Sequence, residues 1–580
     1  MKNIGYLIVL TYLLFSFSAC EKEFLEKPMG NDLNVDSIFS TEQKAMGAIA
    51  QAYSYSLASG ITVLGWDDDR VYGMTSGTLT HLSGEINSVK FNWEDGWIIQ
   101  RSGMTADDGS GKPRSDDGFA FNYKAIRQCY LVIENIDKAG DLTQEQKESI
   151  KAEMKTLIAY RYQEMFKRYG GVPIVEQTLS ADDNTKIPRA SLQQLLEHVV
   201  KLCDEALPLL PDNYIERYKG RVTKGVALAI KAEIYMFAAR PLFNSATPYM
   251  DLAGNNNLIC FETENQNLWQ KAIDASKAVL DWAAINGCEI INTGSPLDDY
   301  GTAVATPNNR EVLLAYKDQM TGSYYTPHSE SGGANGMSYN MLKQYQKEDG
   351  SNQTWNVSDS YVEYAKRMNE MEPRYKASAM AAGINAWNNP NSERWTCRIV
   401  VDGSTWEGRT HNEACGRRVK FWYHAGTRTW FEYPIYRLAE FYLNLAEAYN
   451  EIGDSDNSLR YLNVIRQRAG FITDITETNK GKLSEIIQRE WAVEFYEEGH
   501  RLFDVKHWKH KDIGNGIIGG SKQSFVFTYV SAGRYGYYAE DYSGYSIEER
   551  YVGFWNPSQY LTPIPMSEVN KGYLIQNPGY

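Results

Sequence analysis

The chain contains 580 residues and carries a formal net charge of −14, and 40 of its residues are tyrosine and 14 tryptophan. Its length allows one large helical domain with insertions or several smaller domains. Nucleic-acid binding needs clustered basic residues that neutralise phosphates, so the acidic balance argues against that class of function and against a polybasic membrane patch.

The N-terminus has the pattern of a secretory signal that ends at a cysteine. Lys2 precedes the apolar run 4–17, which is shorter than the about 20 residues needed to cross a bilayer. Small residues then lead directly to Cys20, as in bacterial lipoproteins whose cysteine becomes the lipidated first residue. We predict a cleaved signal peptide over 1–19 and a lipid anchor with its tether over 20–40. An ordinary secreted protein is the alternative.

Four segments carry an Ala-x-x-Tyr pattern at helical spacing, and each is followed by an amphipathic segment that can pair with it. The last unit nearly matches tetratricopeptide spacing, although Gly470 stands where proline is usual. We predict a mainly α-helical fold with a scaffold of four tetratricopeptide-like helix pairs. The first helices contain Ala50/Tyr53, Ala159/Tyr162, Ala232/Tyr235 and Ala446/Tyr449, and the paired segments lie near 120–137, 192–207, 269–282 and 455–468.

Two inserts lack helical periodicity and are rich in polar, glycine and aromatic residues: 60–118 and 290–430. Loops carried by a rigid scaffold are where binding residues concentrate. We therefore predict a single domain over 41–580 whose irregular, loop-rich part binds a ligand.

Aromatic side chains beside polar ones in these inserts suit sugars, because aromatic faces stack on pyranose rings while Asp, Asn and Arg orient the hydroxyls. For each aromatic residue, the alternative is packing beneath its own loop. Three further loop tryptophans are Trp387, Trp395 and Trp406. The candidate ligand-binding residues are Trp66, Asp67, Asp69, Arg70, Asn92, Trp93, Trp97, Tyr324, Tyr325 and Trp355.

An acidic stripe, Glu490, Glu494 and Glu498, repeats every four residues on one predicted helix, with Arg489 and Arg501 nearby. A glycosidase would use two such carboxyl groups as acid and nucleophile. Like charges at this spacing need cations to be tolerated. The favoured interpretation is a buried Arg–Glu network that holds the scaffold.

Patterns typical of metal, redox or phosphate sites are weak. His500, His507 and His510 lack the spacing of a zinc motif, and the aspartates of 67–69, 107–108 and 116–117 lack that of a calcium loop. The Gly-Ser-Gly-Lys sequence at 109–112 fails as a phosphate loop.

Apart from Cys20, the cysteines show no C-x-x-C pair, so a zinc or redox site is not expected. An extracytoplasmic compartment permits disulfides, and Cys397 with Cys415 could close one loop. Buried free thiols are the alternative.

Several blocks in fixed order resemble the SusD/RagB-type nutrient-binding lipoproteins of the Bacteroidetes outer membrane. The acidic segment after Cys20 is similar to the family's post-lipidation segment. The strongest similarity lies late in the chain. The blocks cover 161–162, 168–174, 221–227, 436–440, 463–470, 489–504, 560–565 and 576–580.

This resemblance implies a non-catalytic surface protein without a cofactor, which captures a glycan and delivers it to a SusC-like TonB-dependent transporter. It also implies that the loop aromatics act together as a binding platform. Three alternatives stay open: a surface glycoside hydrolase, a tetratricopeptide-type protein-binding adaptor and a peptide-binding RagB-like member. The sequence does not name the ligand.

Overall fold

The computed structural model of the chain describes residues 35–58, 78–88, 95–106, 118–180, 182–317, 335–381, 415–422, 432–532 and 539–580. Within these residues the fold is mainly α-helical. No helix in this part of the chain combines the length and apolar character needed to cross a membrane.

The helices are, in chain order, α1 Val35–Ile38, α2 Glu42–Ala58, α3 Thr78–Leu82, α4 Asp95–Ser102, α5 Phe119–Asn135, α6 Gln144–Tyr169, α7 Leu192–Ala206, α8 Lys224–Ala239, α9 Asn267–Ile285, α10 Pro296–Ala305, α11 Tyr339–Leu342, α12 Tyr361–Asn369, α13 Pro373–Ser378, α14 Leu438–Glu451, α15 Ser455–Arg468, α16 Lys480–Glu494, α17 Arg501–His507 and α18 Met566–Val569. The strands are β1 Ile86–Ser88, β2 Val312–Lys317, β3 Asn335–Met337, β4 Ala379–Met380, β5 Arg417–Arg418, β6 Glu432–Arg437, β7 Gly520–Ala532 and β8 Ala539–Gly553.

Four helix pairs form the scaffold: α2 packs on α5, α6 on α7, α8 on α9, and α14 on α15. The prediction of four pairs is therefore confirmed. Ala159, Ala232 and Ala446 are fully buried, as expected where two helices approach closely. In the first pair Ala50 is exposed and Ala52 is buried instead.

Local signals explain where the longest helices begin and how closely they pack. Thr143 and Ser191 form reciprocal capping boxes at the starts of α6 and α7. Gly170, with φ of 75°, ends α6 in a conformation that favours glycine. Gly225 of α8 faces the Trp282 ring, where a Cβ atom would lie 2.3 Å from the indole. These two helices can pack closely only because residue 225 has no side chain.

The two inserts contain short elements where the sequence showed little periodicity. The first holds α3, β1 and α4, and the second holds α10 to α13 and β2 to β5. Elements this short contain few repeats of the hydrophobic pattern, so the periodicity of the sequence does not identify them. Strands β1, β3, β5 and β4 form a four-stranded antiparallel sheet in that order. Two smaller sheets pair β2 with β6 and β7 with β8.

Glu494 is at the centre of a buried charge network. Its carboxylate accepts hydrogen bonds from Arg437 Nη1 at 2.6 Å, from Arg374 Nη1 at 3.1 Å and from Arg468 Nη2. Burial alone would raise the pKa of this carboxyl group, but the three guanidinium groups outweigh it and hold the pKa well below its usual range. Glu494 is therefore ionised in the folded protein.

The other two glutamates of the stripe belong to the same network. Glu490 pairs with Arg374 and with Arg466, the latter at 3.0 Å. Glu498 pairs with Arg437 Nε at 2.7 Å and Lys420 Nζ at 2.6 Å. The predicted buried network is thus confirmed.

The cations of the network differ from those expected. Arg489 and Arg501, which are near the stripe in sequence, form no ion pair with it among the described residues. Arg489 donates to Asn352 instead. The actual partners come from 374, 420, 437, 466 and 468, positions that only the fold brings to the stripe.

Replacing Glu494 by Gln should lower the free energy of unfolding by about 3–5 kcal/mol, because buried guanidinium groups would lose a paired charge. Urea denaturation of the purified chain measures this. Glu451→Gln is the control, since Glu451 pairs with the exposed Lys480 and should cost under about 1 kcal/mol. Equal stability of Glu494→Gln and the unmodified chain would contradict the structural role of the network.

The stability difference between the unmodified chain and Glu494→Gln should shrink as the pH falls from 5 to 2. The folded-state pKa of Glu494 lies below its unfolded value, so its contribution is fully present above about pH 4.3 and is lost on acidification. Urea titrations at several pH values test the sign. A constant difference over this range would show that Glu494 is not held ionised.

Candidate ligand-binding site

Most of the predicted ligand-binding residues lie outside the described residues. These are Trp66, Asp67, Asp69, Arg70, Asn92, Trp93, Tyr324 and Tyr325. The lipidation candidate Cys20 lies outside them too. Trp97 belongs to α4, and the structure describes its backbone. Trp355 is described with its side chain.

The four-stranded sheet positions the residues that flank two of the candidate segments. Ser88, the last residue of β1, pairs directly with Asn335, the first residue of β3. Ser88 immediately precedes 89–94, which contains Trp93, and Asn335 immediately follows 318–334. Residues paired across an antiparallel ladder have Cα atoms about 4.5–5.5 Å apart. The start of segment 89–94 is therefore attached to the sheet beside the end of segment 318–334.

A third candidate segment attaches at the opposite end of this sheet. Met380 at the end of β4 pairs with Arg417 of β5. The intervening residues 382–414 contain Trp387, Trp395 and Trp406, and they too lie outside the described residues. Because Arg417 also pairs with Gly336, this attachment point is only a strand length from Ser88 and Asn335.

Trp355 is half-buried and packs against the hydrophobic cluster beneath the sheet. Its ring lies 5.3 Å from that of Phe525 of β7, in an edge-to-face arrangement. The same cluster contains Ile86 of β1 and Met337 of β3. Packing beneath its own loop accounts for part of the Trp355 surface and leaves the remainder accessible.

An ordered arginine lies close to Trp355. Arg367 Nη1 donates to the Thr354 carbonyl at 2.9 Å and to the Thr354 hydroxyl at 3.0 Å. Its Nε donates to Asp359, which raises the pKa of Arg367. The guanidinium is thus held against Thr354, the residue that precedes Trp355, and an arginine fixed near an aromatic residue in the chain suits hydroxyl-rich ligands. No spacing in the sequence marks Arg367 and Asp359 as partners, because the last turn of α12 has to bring Arg367 to a residue that precedes the helix.

The acidic stripe is not available to a substrate. Glu490, Glu494 and Glu498 are 1%, 0% and 7% exposed, and all three are occupied by cations. A general acid needs a pKa raised toward neutrality, whereas that of Glu494 is held low. The geometry therefore gives no support to a glycosidase built on this stripe.

The three histidines considered as metal ligands make packing contacts or hydrogen bonds within the protein. His500 packs against Phe495, with ring centroids 4.4 Å apart. His507 Nε2 is 2.9 Å from the Lys167 carbonyl, and burial lowers the pKa of this ring to about 3. His510 Nδ1 accepts from the Asp512 amide. Within the described residues, no three His, Cys, Asp or Glu side chains are grouped as metal ligands.

Cys415 is a free, buried thiol, and so are Cys129, Cys203 and Cys260. Cys397 lies outside the described residues. The structure thus agrees with the free-thiol alternative for Cys415.

Two family models match the chain in succession. The model described as SusD family matches residues 292–580. A SusD-like model, described as starch-binding and associating with the outer membrane, matches residues 41–236.

Individual relatives agree with these matches. SusD-like protein P25 of Formosa agariphila is 23% identical over 550 residues, covering 87% of this chain and 90% of that protein. The crystal structure of a SusD-like protein from Bacteroides fragilis has a TM-score of 0.72 at 24% identity, covering 94% of this chain and 98% of that one. A SusD-like carbohydrate binding protein of the same species has a TM-score of 0.65 at 18% identity, with coverages of 93% and 99%.

The two family models together extend over the helix pairs except α9 and over the sheet-bearing insert, and the solved relatives share the fold over nearly the whole chain. The chain is a SusD/RagB-type protein.

Proposed function

We propose that this chain is a cell-surface lipoprotein that binds a glycan through the loop segments mounted on the four-stranded sheet. The observation that carries the proposal is the pairing of Ser88 with Asn335, which brings the chain ends of the 89–94 and 318–334 segments together. Trp93, Tyr324 and Tyr325 then belong to segments that start or end at the same edge.

Trp355 and Arg367 supply the described part of the proposed binding surface. An accessible indole face stacks on a sugar ring, and an arginine held by Asp359 donates to hydroxyls without first having to be ordered. Trp66 with Asp67, Asp69 and Arg70 offers the same combination within five residues, and we place it in the same platform.

Two comparisons support a sugar as the ligand. One matched family model is described as starch-binding, and one structural relative is described as a carbohydrate binding protein. Peptide is the second candidate class, because aromatic loops also accept extended peptides. No cofactor takes part in this proposal.

The proposed location is the outer membrane, with a lipid on Cys20 and a tether over 20–40. The association with the outer membrane in the description of the matched family supports it. A SusC-like TonB-dependent transporter would receive the ligand, so binding should be reversible and weak enough to release it. The protein would act by capture and delivery, without bond cleavage.

The test is titration calorimetry of the purified chain against a panel of polysaccharides and their oligosaccharides, with analysis of the products. We expect saturable binding without cleavage. Trp355→Ala should weaken it about fivefold, equivalent to about 1 kcal/mol, through the loss of one stacking surface. Trp93→Ala and Tyr324→Ala should each have an effect of similar direction.

Tyr449→Ala provides the matched control, because Tyr449 is a half-buried aromatic residue on the scaffold helix α14. It should leave affinity unchanged. Equal affinities for the Trp93, Tyr324 and Trp355 variants and the unmodified chain would contradict the proposed platform. Cleavage of the glycan would favour the hydrolase alternative, and binding to peptides alone would favour the peptide-binding alternative.

A further inference from the structure

A polar groove of about 320 Å³ has a lining that contains none of the candidate ligand-binding residues. Its walls come from the turn before β1, from α11, from α16 and from the segment after α17. Its lining contains four cationic side chains and two acidic ones. The cations are Lys343, Arg489, Arg501 and Lys511, and the acids are Glu485 and Asp512. The groove is therefore basic in a chain whose net charge is −14.

Arg501 is the most unusual residue of this groove. It is only 9% exposed, yet within the described residues its guanidinium forms no hydrogen bond and no ion pair. Burial lowers the pKa of Arg501, and Glu85 and Asp504 attract it only at longer range. Buried arginines are normally paired with anions. Its donors are therefore available to an anionic group that enters the groove.

The nearby acids compensate this charge poorly. Burial raises the pKa of Glu85 to about 7, so this carboxyl group is largely protonated slightly below neutral pH. Burial likewise raises the pKa of Asp504 to about 6, and Asp504 already pairs with Arg240 at 2.7 Å. Neither group neutralises Arg501 fully.

Two other cations at the groove, Arg489 and Lys522, also have no carboxylate partner within the described residues. Burial lowers the pKa of Arg489, whose Nη1 donates to the neutral Asn352 at 2.8 Å. Lys522 lies beneath the groove, and within the described residues it donates to the backbone carbonyls of Gly516, Ile517 and Gly519 alone. Burial and the charge of Arg501 lower the pKa of Lys522 to about 7. Of the cations at this groove, Lys511 pairs with Glu485, whereas Lys343, Arg489, Arg501 and Lys522 form no ion pair within the described residues.

The groove is larger than one inorganic anion requires and falls in the range of small-molecule sites. Neutral hydrogen-bonding side chains complete its lining: Asn340, Gln344, Gln488 and Asn515. Side-chain amides can form hydrogen bonds with the hydroxyls of a sugar ring whose charged group contacts Arg501.

We propose that the basic groove binds an acidic sugar through its oxyanion group, a carboxylate or a sulfate, with Arg501 and Arg489 as the charged donors. Guanidinium groups bind such oxyanions through charge-assisted hydrogen bonds. The sugar part of the assignment rests on the glycan-binding role proposed above, whereas the oxyanion part does not.

The test is calorimetry of the purified chain at low ionic strength with D-glucuronate, inorganic sulfate and D-glucose as the probes. We expect glucuronate to bind with one site per chain and glucose not to bind in the groove. Arg501→Gln should weaken glucuronate binding about tenfold or more, and Arg489→Gln by a smaller factor, because each removes a charged donor. Added salt should weaken binding as well.

Arg460→Gln is the control, since Arg460 is an exposed arginine on α15 outside the groove. Arg460→Gln should leave glucuronate binding unchanged. Arg489→Gln serves if Arg501→Gln fails to fold.

Glucuronate affinity that is unaffected in both groove variants, or no binding of either anion, would overturn the proposal. Sulfate binding that depends on Arg501 without glucuronate binding would overturn a carboxylate-bearing sugar as the ligand and support the oxyanion part of the proposal alone. Binding of glucuronate with the expected dependence would support the proposal even if the loop platform failed its own test.

Discussion

The ionised carboxylate of Glu494 is the interaction on which the architecture of the C-terminal half depends. It joins α13, the β6–α14 junction and α15 through Arg374, Arg437 and Arg468. Its backbone carbonyl also accepts from Tyr300 and Lys420. A buried carboxylate with this many charged partners cannot shift without leaving cations uncompensated, so the elements around it are held in one arrangement.

This constraint links the scaffold to the insert that carries the candidate loops. Arg374 lies in the first turn of α13, which leads into β4, and Lys420 follows β5. Two strands of the four-stranded sheet are therefore anchored by charge to α16 and to the turn that follows it. The proposed ligand-binding segments can then vary in sequence while their attachment points stay fixed.

The helix pairs could be predicted from the sequence because each is local: small residues at helical spacing mark the contact with the next helix. The one misplaced residue, Ala50, shows the limit of the pattern, since Ala52 lies two positions away and is the buried residue. The acidic stripe was equally local and was correctly interpreted as structural. Its cations were not predictable, because Arg374 and Arg437 lie 120 and 57 residues from Glu494 along the chain.

The sites depend on longer-range placement than the helix pairs do. The juxtaposition of Ser88 with Asn335 links residues far apart in sequence, and no local pattern marks it. The basic groove combines α16, α17 and the turn before β1 in the same way. The sequence identified the aromatic residues as candidates, whereas the arrangement of their attachment points became visible only in the fold.

A crystal structure of the chain with a bound oligosaccharide, chosen from the calorimetric panel, would show where the ligand binds. We expect ligand density at the Ser88 and Asn335 edge of the four-stranded sheet, in contact with residues of 89–94 or 318–334 and near Trp355. Ligand seated on the outer faces of the helix pairs, with the sheet edge unoccupied, would contradict this expectation.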